Sequence, residues 1–239
     1  MARRRFFVDG IDGGSAELRG DEARHLTRVL RVEPGQRFEI SDQRTAWLAE
    51  IVEARGERVI FRVIEPLETV EMPVRIALCA ALIKFDRFEW MIEKATELGV
   101  ESILPVETSR SEKGLLEASL KRLERWQRVA REASQQARRL RAPEILPAAR
   151  WQAALAGARG HRYFLEENTA PPLLRTLPLD RSPHAPVALL AGPEGGWTDA
   201  ERQAAAMAGW QAVSLGPHVL RAETAALAAL AVIVNAWLG

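Results

Sequence analysis

Two loops carry most of the residues able to do chemistry. The first is Leu190-Ala-Gly192-Pro193-Glu194-Gly195-Gly196-Trp197. The second is Leu215-Gly216-Pro217-His218-Val219-Leu220-Arg221-Ala-Glu223-Thr224-Ala225. Each follows a short apolar run, residues 187–191 and 212–215, that reads as a buried strand. In parallel α/β sheets, ligands bind outside the carboxyl ends of the strands. Glycines there let backbone amides approach a ligand closely, and prolines stiffen the loop. Such a wall of backbone groups suits a flat heterocycle and its ribose. A tight turn before a helix is the plain alternative for either loop alone. The glycines do not make the G-x-G-x-x-G dinucleotide fingerprint, and no lysine follows them as a P-loop requires.

Ionisable groups in these loops narrow the chemistry. Glu194, Arg221 and Glu223 are the candidates for handling a proton or a developing negative charge, with a purely structural role as the alternative. His218 and His25 read as structural groups rather than bases. The four histidines (His25, His161, His184 and His218) do not fall at metal-ligand spacing, and the lone Cys79 can form neither an intramolecular disulfide nor a thiolate cluster. No metal is expected. Trp197 is a candidate to cover a ligand, with a core position as the stronger alternative, while Trp126, Trp151, Trp210 and Trp237 read as core.

The elements that position these loops can be read from the pattern. The chain has 239 residues and a formal net charge of +1. Residues 1–70 read as short strands at 38–41, 46–52 and 58–64, with turns at Pro34-Gly35 and Arg55-Gly56. Asp21 to Leu30 reads as a helix burying Ala23, Leu26, Val29 and Leu30. Such closely spaced strands suggest a small β-barrel. Residues 65–73, with Pro66 and Pro73, read as a linker. From 73 to 239 strands and helices alternate, which implies a mainly parallel sheet covered by helices. Its elements are strands at 74–83, 102–106, 161–165, 187–191 and 212–215, and helices at 85–98, 117–141, 198–209 and 223–238. Thr198 and Glu201 have the spacing of a capping box.

Basic residues are unevenly spread. Residues 108–150 hold 11 basic against 5 acidic side chains. Only Lys84, Lys94, Lys113 and Lys121 are lysine among 33 basic residues. Arginine donates bidentately to phosphate, although a bias in codon usage would give the same composition. Arg122, Arg125 and Arg128 share the exposed face of the 117–141 helix, opposite Leu123, Trp126, Ala130, Ala133, Ala137 and Leu140. Arg3, Arg4 and Arg5 form a second patch. Arg24, His25, Arg28 and Arg31 form a third at helical spacing. All three are candidate RNA contacts, with a solvated surface as the alternative. The basic start lacks the apolar run of a signal peptide, and the apolar stretch 225–238 is shorter than the ~20 residues that span a bilayer. A cytoplasmic protein without membrane attachment is the expectation.

The ordered pair GPEGGWTDAE and LGPHVLRAETA resembles the SPOUT methyltransferases, and most closely the ribosomal RNA small subunit methyltransferase E family. RRRFFV and HLTRVLRV match its N-terminal domain. KFDRFEWMIEKATELGV, TSRSEK and RWQRVAREASQQARR match its first catalytic half. Beside Arg110 the family often carries an acid or a cysteine, where Ser109 and Ser111 stand here. The resemblance implies a PUA-like barrel followed by a SPOUT α/β domain with a deep trefoil knot. It implies S-adenosyl-L-methionine bent among three loops, the third near Leu165, Glu166, Glu167 and Asn168. A homodimer partner completes the site in such families. The implied reaction is methylation of N3 of one uridine in 16S rRNA near the decoding centre, with the rRNA held within the small ribosomal subunit as the expected partner. Arg110 joins the candidate RNA contacts, and Arg221 becomes the first choice for stabilising a uracil anion. The alternatives are a SPOUT enzyme acting on tRNA and a non-catalytic ribosome-assembly factor that keeps the fold.

Overall fold

A computed structural model describes residues 4–167 and 169–239. Arg3 and Asn168, both named above, lie outside the described residues. The chain divides into two compact units. One runs up to Glu71 and takes in Ser134–Ala142, and the other holds Met72–Ala133 and Pro143–Gly239. A contiguous boundary near residue 70 does not anticipate the return of 134–142 to the first unit.

The first unit contains β1 (Arg5–Phe7), β2 (Ile11–Asp12), β3 (Ser15–Arg19), α1 (Gly20–Arg28), β4 (Arg37–Ser41), β5 (Ala46–Arg55) and β6 (Arg58–Leu67). Its six strands run in the order β1-β4-β5-β6-β3-β2. One core receives Phe6 from β1, Ile40 from β4, Ile51 from β5, Phe61 from β6, Leu18 from β3 and Leu26 from α1. A single core fed from both ends of the sheet order is what a small β-rich domain requires.

Three expectations for this unit need correction. Helix α1 buries Ala23 and Leu26 but leaves Val29 and Leu30 exposed, because it ends at Arg28 and Arg31 takes a left-handed conformation. Strand β6 continues through Pro66 into the segment read as a linker, where Pro66 pairs with Trp47. β3 pairs with β6 only as far as Arg62, so the proline has no second neighbour to deprive of a hydrogen bond. Finally, Arg5 is not at the surface. It is 5 % exposed, and its guanidinium donates to Glu39 at 2.9 Å, itself 3 % exposed. Arg138, from the returning segment, also bonds the Glu39 carboxylate. Arg5 therefore has no free face for RNA.

The second unit contains β7 (Val74–Ala81), α2 (Phe85–Glu97), β8 (Ser102–Glu107), α3 (Leu115–Leu120), α4 (Leu123–Gln136, its last residues belonging to the first unit), β9 (Glu144–Ile145) and β10 (Ala149–Arg150). It continues with α5 (Trp151–Gly157), β11 (His161–Leu165), α6 (Leu173–Thr176), β12 (Ala185–Ala191), α7 (Asp199–Met207), β13 (Gln211–Val213) and α8 (Ala222–Leu238). The strand order is β10-β8-β7-β12-β11-β13, with β9 beside β8, and every pairing is parallel. Alternation along β12 divides the core. Val187 and Leu189 pack on one face with Trp126 and with Leu230 and Ile233 of α8. Ala188 and Leu190 pack on the other with Trp151, Trp197 and Trp210. Cys79 lies in that second layer, where burial pushes its thiol up to about 12, so it is an inert core residue.

The single helix expected over 117–141 is two helices followed by a turn. Around Lys121 and Arg122 the backbone bonds contract to i→i−3, and the Ser119 hydroxyl bonds back to the Leu116 carbonyl. After Gln136, Arg138 adopts a left-handed conformation and the Arg139 amide reaches the Ser134 carbonyl at 2.9 Å. Among the described residues no helix is long and apolar enough to cross a membrane.

Arg5→Ala leaves Glu39 buried with only Arg138 to offset it. The expected loss is about 3 kcal/mol in urea unfolding, against about 0.5 kcal/mol or less for an exposed arginine. Unchanged stability of the variant would refute the buried pair.

Candidate functional site

β11, β12 and β13 are parallel and adjacent, so the loops after Leu165, Ala191 and Val213 emerge on one side of the sheet. They enclose a cleft. The first loop contributes Leu165, Glu166 and Glu167, the second Gly192, Pro193, Glu194, Gly196 and Trp197. The third contributes Val213, Leu215, Gly216, His218, Val219 and Leu220, with Ala222 and Ala225 from the start of α8. Val219 is 77 % exposed and Leu220 38 %, so two apolar side chains on the cleft wall lack cover.

The floor is held by Trp197. Its indole N–H donates to the Leu165 carbonyl at 2.7 Å, joining the loops after β11 and β12. The ring stacks on Phe164, with centroids 4.9 Å apart, and leans on Trp151 at 5.1 Å. It is 1 % exposed, so it supports the cleft from within the core rather than covering it. Glycine is required at two places. A Cβ on Gly192 would lie 2.9 Å from the Trp197 ring. Gly196 has φ +67, and a Cβ there would lie 2.3 Å from the Glu167 carboxylate.

Four charged contacts brace the rim. Arg202 holds Glu166 at 2.7 Å. Arg87 of α2 holds Glu194. Arg110 donates to the Gly195 carbonyl. The fourth is Glu201, in the capping box that opens α7. One of its oxygens accepts from the Ser109 amide at 2.7 Å and the other from the Thr198 amide at 2.9 Å. Burial pushes the Glu201 carboxyl up, but the bonds from Ser109 and Thr198 together outweigh it and hold its pKa below the ordinary carboxylate value. Its stabilisation is therefore present at neutral pH and fades as the pH falls through that lowered value.

Residues of the 221–224 segment also line a second cleft. It is lined by Asp86, Arg87 and Trp90 of α2 and by Arg221, Glu223 and Thr224. Arg221 is exposed at the N-cap of α8 without bonding its backbone. Glu223 is 7 % exposed, and its Oε2 has no hydrogen-bond partner. A buried carboxylate oxygen without a donor marks a place where a donor fits. The three expected chemical residues are thus divided: Glu194 lines the first cleft, Arg221 and Glu223 the second. Arg87 lines the second cleft and bonds Glu194 in the first.

The remaining expected residues separate cleanly. Leu190 is fully buried in the core layer below the loop. Gly195 packs against Arg110, and Thr224 lines the second cleft. Sequence reading missed Val213 and Ala222, and with them Asp86, Arg87 and Trp90 of α2. The first two carry no chemical signal, and the position of Arg87 depends on how α2 packs beside α8. Among the candidate RNA contacts, Arg4 lies over the Phe6 ring at 5.8 Å, and Arg24 pairs with Glu57 and Asp21. Arg122 and Arg125 reach Glu89 at 3.5 and 2.8 Å. Arg128, His25, Arg28 and Arg31 are exposed.

A family profile described as "RNA methyltransferase domain" matches residues 70–234, and one described as "RNA methyltransferase PUA domain" matches residues 18–64. The chain is 35% identical over 224 residues to the ribosomal RNA small subunit methyltransferase E of Synechocystis, covering 87% of this chain and 69% of that protein. It superposes with TM-score 0.87 and 32% identity on the crystal structure of a ribosomal RNA small subunit methyltransferase E from Neisseria gonorrhoeae bound to S-adenosyl methionine, covering 98% and 97% of the two chains. A protein of Legionella pneumophila, solved in complex with bound cofactor SAM, gives TM-score 0.88 at 30% identity, covering 99% and 98%.

The two glycines of the 192–197 loop should respond differently to alanine. Gly196→Ala meets both the left-handed backbone and Glu167, and should lose at least ~1 kcal/mol in unfolding experiments. Gly195→Ala meets only the flexible Arg110 side chain at 3.4 Å, and should stay within about 0.5 kcal/mol of the parent. Equal losses would mean that loop strain is not located at Gly196.

Proposed function

Because the chain belongs to the ribosomal RNA small subunit methyltransferase E family, we propose that it transfers a methyl group from S-adenosylmethionine to N3 of one uridine of small-subunit rRNA near the decoding centre. The observation that carries this reading is the pair of clefts sharing the 220–225 segment. The glycine-floored cleft takes the methyl donor, and the Arg221–Glu223 cleft takes the acceptor base. The donor cleft fits such a group because three loops line it with backbone, Gly192 packing flat on Trp197 and Gly196 making a left-handed turn. Leu165, Gly192, Pro193, Gly196, Leu215, Gly216, Val219 and Ala225 would hold it. When bound, it supplies an electrophilic methyl on a sulfonium.

The protein's own groups must manage the base. N3 of uracil is a weak acid and carries a proton before it can attack. Glu223, which lines this cleft, accepts that proton. Arg221, lining the same cleft, offsets the negative charge that develops on the ring. Glu194 is restrained by Arg87 and positions the donor loop. The remaining acceleration comes from alignment of the two clefts, with the base splayed from its stack.

Exposed arginines supply the affinity for RNA through phosphate contacts. Arg128 in the second unit, and Arg28, Arg31 and His25 in the first, are exposed and serve directly, while Arg110 would first leave the Gly195 carbonyl. Arg122, Arg125 and Arg24 would exchange acidic partners for phosphate. The fold family implies a knot formed as the last stretch threads back through a loop, and a homodimer. The dimer is supported by Trp90 on α2, 47 % exposed, and Leu238 on α8, 67 % exposed. Light scattering at micromolar concentration should give twice the chain mass; a monomer would remove this part of the reading.

The direct test is methyl transfer to small subunits from cells lacking the modification, with the product nucleoside mapped. Arg221→Ala should lower turnover by roughly a hundredfold, about 3 kcal/mol, with a smaller change in the Michaelis constant. Arg125→Ala with Arg128→Ala should weaken RNA binding, flatten its salt dependence by about one unit per lost contact, and spare saturated turnover. Normal turnover of donor-saturated Arg221→Ala would reassign that residue to loop structure.

A further inference from the structure

Four ionisable side chains line the donor cleft: Glu166, Glu167, Glu194 and His218. Two of the three carboxylates are offset within the protein. Arg202 holds Glu166, whose side chain is 6 % exposed, and Arg87 holds Glu194. Glu167 has no cationic partner among the described residues. Its backbone amide donates to Glu166 at 3.0 Å, which fixes the residue at the cleft edge. Its carboxylate lies over Gly196, so close that a Cβ there would stand 2.3 Å from Oε1. The glycine with the left-handed backbone is thus the one whose missing side chain makes room for this carboxylate. The arrangement leaves one uncompensated negative charge on the wall of an open cleft.

We propose that Glu167 biases the cleft toward the cationic methyl donor and against the neutral thioether left after transfer. The inference rests on the donor reading of the cleft. Carboxylates are ionised at neutral pH. The donor carries a sulfonium, an ammonium and a carboxylate, for a net charge of +1. Transfer breaks the sulfur–methyl bond with the electron pair staying on sulfur, and the acceptor nitrogen forms the new bond with its own pair. The acceptor proton leaves to a base. Sulfur thereby loses its charge and the product is net neutral. Glu167 attracts the first ligand and has no net charge to attract in the second, so its pull lapses as the reaction completes and product leaves more readily. Glu166 and Glu194 contribute little to this difference, because an arginine answers each of them. Glu167 is exposed, so salt should weaken the effect.

Calorimetry on the full chain, with S-adenosylmethionine and with S-adenosylhomocysteine, tests the claim. Glu167→Gln keeps the shape and removes the charge. It should weaken donor binding about fivefold, equivalent to about 1 kcal/mol, and leave product binding within about twofold. High salt should shrink the difference in the parent protein and not in the variant. Glu167→Asp should retain most of the parent's preference, which shows that the fold and cleft survive substitution. In turnover assays the variant should raise the Michaelis constant for the donor and spare the turnover number. Equal weakening of both ligands would overturn the proposal, since Glu167 would then face a group the two share. Unchanged affinities for both would overturn it as well. A parent protein that binds neither ligand would overturn the donor reading itself, an outcome distinct from either of these.

Discussion

The hydrogen bond from the Trp197 indole to the Leu165 carbonyl is the contact on which the rest of the site depends. It satisfies an indole N–H that is otherwise sealed in a core of Phe164 and Trp151, and it pins the loop after β12 to the end of β11. A buried donor without a partner costs ~1–3 kcal/mol, so the loop has a strong reason to hold this one conformation. Once the ring is there, Gly192 must lack a side chain, because the ring occupies the space beside it. The cleft floor is therefore the upper surface of the hydrophobic core, and its shape is as rigid as the core is.

Charge pairing does the corresponding work at the rim. Arg202, Arg87 and Arg110 each tie a side chain or carbonyl of the cleft loops to a different element. Glu201 brings in the 108–111 turn through the amide of Ser109. These contacts place α2, α7 and the β8 end around one opening. Surface ion pairs contribute little to stability, typically ~0–1 kcal/mol each. Here they define which carboxylates remain available to a ligand and which are already answered.

The first unit relies on a different device. Glu39 is buried between Arg5 and Arg138, which come from the two ends of the unit's sequence. A buried carboxylate tolerates few alternatives to its two guanidinium partners, so the pair specifies where the Ser134–Ala142 segment returns. Ser41 adds a bond to the Leu140 carbonyl at 2.7 Å, and Gln135 one to Glu22 at 3.0 Å.

Much of this was legible in the residues themselves. The apolar runs at β7, β11 and β12, the capping box at Thr198 and Glu201, and the glycine loops after buried strands all follow from local rules that one segment obeys alone. So does the family, because GPEGGWTDAE and LGPHVLRAETA occur together and in order. What sequence could not determine involved partners distant in the chain. Three arginines in a row at residues 3–5 look like one basic patch, yet Arg5 turns inward because Glu39 waits across the β1–β4 pairing. A helical periodicity running from 117 to 141 hides two interruptions, since Arg138 takes a left-handed turn where its side chain meets Glu39. Arg221 and Glu194 sit in loops of the same type, but the α2 side chains Arg87 and Trp90 assign Arg221 to its own cleft. Periodicity and loop chemistry are properties of neighbours in sequence. Which charges are paired, and which remain free to meet a ligand, is a property of neighbours in space.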